Sequence, residues 1–488
     1  MCDMSRHCRL ISCLLFGLLP LFAFAQPISI GSKLYTENVV LGYLAAQSLE
    51  DAGYSTLHNA QLGGTRILWN ALLSGSIDVY PEYTGTITEE ILAGQVINSR
   101  EQMIQVLSAY GVGVTGELGF NNTYALGMRR TQAEELGIES IADLRAHPAL
   151  RFGFSNEFMD RPDGWPGVSV EYGLSPASVT GLDHALAYRG LENKDIDVLD
   201  LYSTDPEIAF YDLIALRDER QFFPDYDAVF LYRDSLPTDA IVALQRFSGA
   251  IGEEEMVRMN AAVKMEGRDD AEVAAEFMRT RFGIETEQVS DGLWQRLLTN
   301  TLDHLTLVFI SLGMAIVVAI PLGVLAAKVQ ALETLLLGFT SILQTIPSLA
   351  LLVLMIPVFG IGALPAIVAM FLYSLLPIVR NTHAGIRQIP GPVMESARAL
   401  GLPNAIILRK VELPMAIPSI LAGIKTSAVM NVGVATLGAL IGAGGYGQPI
   451  LTGIRLDDMA LILEGAIPAA LLALVVQGGF DLVERRLG

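Results

Sequence analysis

Cysteine is nearly missing from this chain: 488 residues hold three, Cys2, Cys8 and Cys13, all within the first 25. Past residue 25 the sequence therefore has no disulfide, no thiol nucleophile and no cysteine metal site. Basic residues are scarce as well. There are 32 Lys and Arg against 52 Asp and Glu, a formal net charge of -20, with no basic cluster of the kind that nucleic-acid phosphates require, so no nucleic-acid partner is expected. The six histidines show no H-E-x-x-H or other ligand spacing, and no metal is expected. No G-x-x-x-x-G-K-[ST] occurs, so the chain brings no P-loop. No nucleophile, base and orienter can be placed together, and the chain is not read as an enzyme. One apparent motif fails on context. Gly442, Gly444 and Gly447 fit G-x-G-x-x-G but follow a long apolar run instead of a strand, which leaves them as a flexible outer turn.

What is present divides the chain in two. Up to about residue 290 the sequence is acidic and mixed in polarity; beyond it, long apolar runs with few charges dominate. Residues 1–25 place Arg6 and Arg9 ahead of an apolar run from Leu10 to Phe24 and end Ala23-Phe24-Ala25, the pattern of a secretory signal peptide; an uncleaved anchor leaves the next domain on the same outer side. Over 26–285 apolar strands alternate with helical patterns, beginning with 28–32 and an amphipathic helix over 38–52. That is the βα rhythm of an open α/β sheet, in a length sufficient for two lobes. Over 290–488 apolar spans are expected at 305–327, 334–358, 362–380, 417–440 and 460–482, five membrane crossings. With the α/β domain outside, Lys328, Arg380, Arg387, Arg398, Arg409, Lys410, Arg485 and Arg486 fall inside and only Arg455 outside, as the positive-inside rule requires. Gln344, Asn431 and Glu464 are polar groups within these spans, suited to bonding helices together or to lining a path.

The segments SKLYTEN (32–38), LGGTRILWNALLSGSIDVYPEYTGT (62–86), LGFNNTYAL (118–126), FSNEFMDRPDGWPG (154–167), LYSTDPEI (201–208) and FFPDYDAV (222–229) resemble the substrate-binding proteins of osmoprotectant importers, which take glycine betaine, choline and carnitine. The resemblance implies a two-lobed periplasmic-binding-protein clamp of type II, with the chain crossing between lobes near 121–124 and 222–226. It places the family's aromatic cage on Tyr83, Tyr124, Tyr202 and Tyr226. A quaternary ammonium offers no hydrogen to donate, so a protein holds its diffuse charge against aromatic faces. For a ligand carboxylate the candidates are Arg161, Thr65 and Thr36, a fork and two hydroxyls. Asp183 and Asp205 are candidates to complement the ligand's cation, and equally turn formers or helix caps. Asp78 and Glu82 read as lobe structure, and Trp165 as part of a packed loop.

The stretch 394–414, MESARALGLPNAIILRKVELP, resembles the EAA loop by which permeases of ATP-binding-cassette (ABC) importers dock on an ATPase. Its coupling positions fall on Glu395, Ala397, Gly401, Leu413 and Pro414. Ala397 and Gly401 read as four apart on one helical face that a partner can approach closely, with Leu413-Pro414 stopping the following helix. Ser396 and Val411 depart from the pattern while keeping size and character. Together the two halves imply an α/β clamp followed by an all-α transmembrane permease domain of about five helices. The reading is a fused binding-protein and permease subunit for ATP-driven uptake of quaternary-ammonium osmoprotectants. It sits in the bacterial inner membrane with its clamp in the periplasm. A separate cytoplasmic ABC ATPase uses the ATP, the permease pairs as a homodimer, and the chain itself holds no cofactor. Alternatives are a larger betaine such as ergothioneine as ligand or, in another class, a membrane-anchored ligand sensor.

Overall fold

A computed structural model describes residues 27–286 and 292–487; the expected signal segment lies outside the described residues. The α/β region forms ten strands: β1 Ile28–Gly31, β2 Thr56–Asn59, β3 Val79–Tyr83, β4 Val112–Val114, β5 Tyr124–Arg129, β6 Arg151–Ser155, β7 Ser178–Leu182, β8 Val198–Tyr202, β9 Leu213–Ala215 and β10 Ala228–Arg233. They make two five-stranded sheets, β2-β1-β3-β10-β4 in lobe 1 and β7-β6-β8-β5-β9 in lobe 2. In each sheet four strands point one way and the fifth, β10 in lobe 1 and β5 in lobe 2, runs antiparallel to both of its neighbours. Those two strands are the first elements after each change of lobe. The chain leaves lobe 1 after β4 and returns from β9 to β10, and the two crossings lie side by side. Asn121 bridges Asp227, the Asn122 amide donates to the Tyr226 carbonyl at 3.0 Å, and the Tyr226 amide donates to Asn121 Oδ1 at 2.9 Å. Two adjacent crossing segments joined by so few bonds have the form of a hinge.

The first helix, Thr36–Asp51, starts two residues before the sequence pattern places it and is buried on nearly every side. It is enclosed by the sheet and by helices Thr238–Gln245, Glu253–Lys264 and Asp270–Phe282, so it is an interior helix and not an amphipathic surface one. Leu41, Leu44 and Leu49 are fully buried along it, each contributing about 1.5–3 kcal/mol of transfer free energy.

In the second half, Leu293–Lys328, Ala363–Arg387, the helical run Asn404–Ile441 and Met459–Arg486 are each long and apolar enough to cross a membrane. The expected span at 334–358 is instead two helices, Gln330–Thr345 and Ser348–Phe359, bent by 98°. Pro347 causes the break: it lacks an amide hydrogen and drives Ile346 into extended backbone. The Tyr373 hydroxyl takes up the freed Ile346 carbonyl. Among the described residues, helices able to cross thus number four, or five where the bent pair counts as one span. Asn431 binds helices together, donating to Ser311 Oγ and accepting from Ser374 Oγ, both at 3.0 Å. Glu464 pairs with Arg296, and Gln344 only approaches the Met430 sulfur at 3.8 Å.

Three local expectations are overturned. Ala397 and Gly401 do not share a helical face: helix Gly391–Ala399 ends first, Ala397 packs inward, and Gly401 takes φ +73°, a left-handed stop that suits glycine. Nor do Leu413 and Pro414 stop a helix. They lie within the run Asn404–Ile441, where a π turn, Leu408–Glu412, meets helix Leu413–Leu437 and leaves room for the proline. Glu395 is exposed. The glycine corner at 442–447 is likewise not loose. A Cβ on Gly442 would stand 2.8 Å from Leu62 of lobe 1, and one on Gly447 would stand 1.9 Å from the Thr436 carbonyl.

Candidate functional site

The strand ends carry the site. Tyr83 closes β3, Tyr202 closes β8, Tyr124 opens β5 and Tyr226 lies in the hinge just before β10, so all four reach the crevice between the lobes. The register sets Tyr124 directly opposite Tyr202. Their ring centroids are 5.0 Å apart, and Tyr226 stands edge-on to Tyr124 at 5.4 Å and 88°. Tyr83 lines the same cavity, with its hydroxyl donated to Glu37 Oε1 at 2.6 Å. Burial raises the phenols of Tyr83, Tyr124, Tyr202 and Tyr226, keeping the rings neutral.

Two rings that the sequence did not single out join them. Tyr35 lies 5.5 Å from Tyr202, and His184 lies 4.7 Å from Tyr202. Tyr35 stands in SKLYTEN just ahead of a helix, a position with no periodic signal. Glu37, two residues on, was missed as well. Its Oε1 also accepts from Asn122 Nδ2 at 2.8 Å, and its Oε2 from Thr204 Oγ1 at 2.5 Å and Asn260 Nδ2 at 3.1 Å. Burial raises its pKa, and the bonds from Thr204, Tyr83 and Asn260 oppose that rise. Because Thr204 belongs to lobe 2, this carboxyl ties the lobes together. Tyr35 to Glu157 is a second tie.

Arg161 reaches the cavity, but its nitrogens are engaged by the protein itself. Nε donates to Asp163 Oδ1 at 2.9 Å, Nη2 to Asp163 Oδ2, and Nη1 to Glu90 Oε2 at 2.8 Å and Thr86 Oγ1 at 3.4 Å. Glu90 and Thr86 lie in lobe 1, so the guanidinium spans the cleft. It also stands 5.7 Å from the Tyr124 ring centroid. Thr36 lines the cavity, whereas Thr65 does not. Thr65 accepts from Lys33 Nζ at 3.0 Å beside the buried Lys33–Glu82 pair, which makes it lobe structure. Asp183 lines the cavity and caps helix His184–Glu192, accepting from the Ala185 amide at 3.0 Å. Asp205 accepts from His184 Nε2 at 3.0 Å, Tyr188 Oη at 2.6 Å and the Tyr202 amide at 2.9 Å. Burial works against a charge on His184, but Asp205 and Asp200 more than offset it and raise its pKa to about 10. Trp165 packs on Phe152 and Phe154 at 5.5 and 5.2 Å, away from the tyrosine cluster. Among the described residues no group of three His, Cys, Asp or Glu is placed to hold a metal.

A family model described as the substrate binding domain of ABC-type glycine betaine transport systems matches residues 26–280, and one for the inner membrane component of binding-protein-dependent transport systems matches 319–488. The chain belongs to the glycine betaine-type ABC importers. It joins the binding domain of that family to a multi-pass permease domain in one polypeptide, a component of osmoprotectant import and not a catalyst. ATP hydrolysis falls, as the family implies, to a partner ATPase. The osmoprotectant import permease protein OsmW of Salmonella typhimurium is 48% identical over 181 residues, 36% of this chain and 84% of that one. The glycine betaine/carnitine/choline permease protein OpuCB of Bacillus subtilis is 41% identical over 191 residues, 39% of this chain and 88% of that one. A crystal structure of a glycine betaine/carnitine/choline ABC transporter covers 52% of this chain and 98% of its own at 28% identity, with a TM-score of 0.45.

Proposed function

We propose that the cleft takes a trimethylammonium solute of the betaine, choline or carnitine kind and hands it to the permease half of the same chain. The observation that carries this reading is the group of rings from Tyr35, Tyr124, Tyr202 and Tyr226, which converge from both lobes and the hinge on one cavity. Such a group offers several π faces to one diffuse cation. The relatives' names, osmoprotectant and glycine betaine/carnitine/choline import, support the same ligand class. In this reading the clamp works in the periplasm above the inner membrane, and two copies of the chain enclose the translocation path. A cytoplasmic ABC ATPase docks on the surface formed by Gly391–Ala399, the Gly401 turn and the start of the run Asn404–Ile441, with Glu395 exposed to it.

The test is uptake of radiolabelled choline into membrane vesicles that hold the full chain and its ATPase. Uptake is expected to need internal ATP and to be competed by glycine betaine and carnitine. Competition by ergothioneine alone would move the ligand to the larger betaines; uptake without ATP would end the importer reading.

A further inference from the structure

Every cation that the clamp places on the wall of the cavity already carries a carboxylate. Lys33 Nζ donates to Glu82 Oε1 at 2.6 Å, Arg161 pairs with Asp163 and Glu90, and Lys264 pairs with Glu207. His184 Nε2 lies 3.0 Å from Asp205 Oδ2, and its Nδ1 lies 3.8 Å from Asp200. Arg455, which the permease half adds to the wall, is bound to Asp270. The pairs are deep. Side chains are 3% and 0% exposed for Lys33 and Glu82, and 11% and 8% for Lys264 and Glu207. A ligand carboxylate that took one of these cations would strand a buried acid.

The acids on the wall differ in what they are paired with. Glu37, Asp183 and Glu157 line the cavity, and their partners are neutral donors. Glu37 is met by four of them, and Asp183 is spent on capping helix His184–Glu192. Glu157 is left. Its helix, Asn156–Asp160, follows β6 and is capped by Ser155, which Asp200 holds through the Ser155 amide at 2.6 Å, so the carboxylate is fixed beside the crevice. Its Oε2 accepts from the Tyr35 hydroxyl, and among the described residues no Lys, Arg or His side chain pairs with it. Tyr35 is itself one of the converging rings, 5.5 Å from Tyr202. Burial is the main cause that raises the phenols of Tyr35, Tyr124 and Tyr202, and the charge of Glu157 adds to it in all three. One carboxylate thus acts on three rings of the group. A phenol that donates to a carboxylate is polarised by it, which makes its face more negative towards a cation.

We propose that Glu157 is the counter-charge of the ligand's ammonium, acting through the Tyr35 ring, and that the clamp therefore selects a solute of net positive charge, such as choline, over a zwitterion such as glycine betaine. The inference rests on the cleft being the site of a quaternary ammonium. Its test titrates the full chain in nanodiscs, as wild type and as Glu157→Gln, with choline, glycine betaine and the tert-butyl analogue of choline, which has the same shape without the charge. Glutamine keeps the volume and an oxygen that accepts from Tyr35, so the tie between the lobes survives and only the charge is lost. Wild type is expected to bind choline at least about tenfold more tightly than either of the other two, and Glu157→Gln to weaken choline by about tenfold while leaving the neutral analogue unchanged. An equal loss for choline and the neutral analogue would reduce Glu157 to a structural tie and overturn the proposal. Glycine betaine binding wild type as tightly as choline would overturn it too. A neutral analogue that matched choline on wild type would instead bring down the quaternary-ammonium reading on which the proposal stands.

Discussion

Replacing Arg161 by methionine separates two roles for the one guanidinium that the sequence offers to a ligand carboxylate. In the structure Arg161 and Asp163 have side chains only 6% and 4% exposed, and the same guanidinium reaches Glu90 across the cleft. Methionine keeps much of the volume but strands Asp163 in the interior with the Tyr226 hydroxyl as its remaining partner in this network. Removing one member of a buried pair costs about 3–5 kcal/mol. At about 2–4 °C per kcal/mol for a domain of this size, the clamp should melt about 6–20 °C lower. Tryptophan fluorescence reads this selectively, since Trp69 and Trp165 lie in the clamp and only Trp294 lies outside it. Binding supplies the second readout. If Arg161 locks the lobes, Arg161→Met weakens choline and glycine betaine by the same factor, whereas a direct contact would show only with glycine betaine, which alone of the two has a carboxylate. An unchanged melting temperature, or a loss of more than tenfold confined to glycine betaine, would refute the lock and return Arg161 to the ligand.

Other consequences can be checked as directly. Gly401→Ile forces a β-branched residue to φ +73° with open space around its Cβ, a strain of about 1–2 kcal/mol. The variant should fold and bind choline normally yet fail to couple uptake to ATP; normal uptake would detach this turn from the ATPase. A reporter fused after Gly488 should be active only in the cytoplasm, beside Arg485 and Arg486. External activity would make the bent pair at Pro347 a re-entrant loop and leave four crossings. His184 keeps its proton to about pH 10 when folded, against about 6.5 unfolded. Its charge therefore stabilises fully below pH 6.5, and the benefit is lost as pH rises towards 10. The stability gap between wild type and His184→Gln in urea unfolding should narrow from pH 6.5 to 9.5; a gap independent of pH would contradict the His184–Asp205 account.

The sequence made the clamp legible because its signals are local. Alternating strands bounded by turns mark the lobes, and the two crossings lie where the quoted segments place them, with Asn121 and Tyr226 hydrogen-bonded across the hinge. The tyrosines were legible one by one, but not the register that opposes Tyr124 to Tyr202, nor Tyr35, whose neighbour arrives from lobe 2. Polar and charged candidates were harder still, since Arg161 and Thr65 find partners 71 and 32 residues away that no spacing announces. In the membrane half, hydropathy located apolar segments but could not see the 98° break, because an average over a membrane-length window runs on across Ile346-Pro347 and proline is tolerated inside membrane helices. Gly401 misled for a related reason. Small residues four apart suit a helical face, yet a glycine two residues beyond the last helical residue is a left-handed stop.

If the cleft selects a methylated cation through aromatic faces, one equilibrium measurement reveals it. Full-length protein in nanodiscs is titrated with glycine, its mono- and dimethyl derivatives and glycine betaine, and the series is repeated with Tyr202→Phe and Tyr202→Ala. Affinity should climb with each methyl group, since every hydrogen on the amine is a donor that the rings leave unpaired on burial. The Phe variant should keep most of the climb. The Ala variant should lose at least about tenfold for glycine betaine, as expected for a desolvated cation–π contact of up to about 2 kcal/mol plus the gap that the ring leaves. A preference for glycine over glycine betaine, or Tyr202→Ala binding as tightly as wild type, would contradict the account.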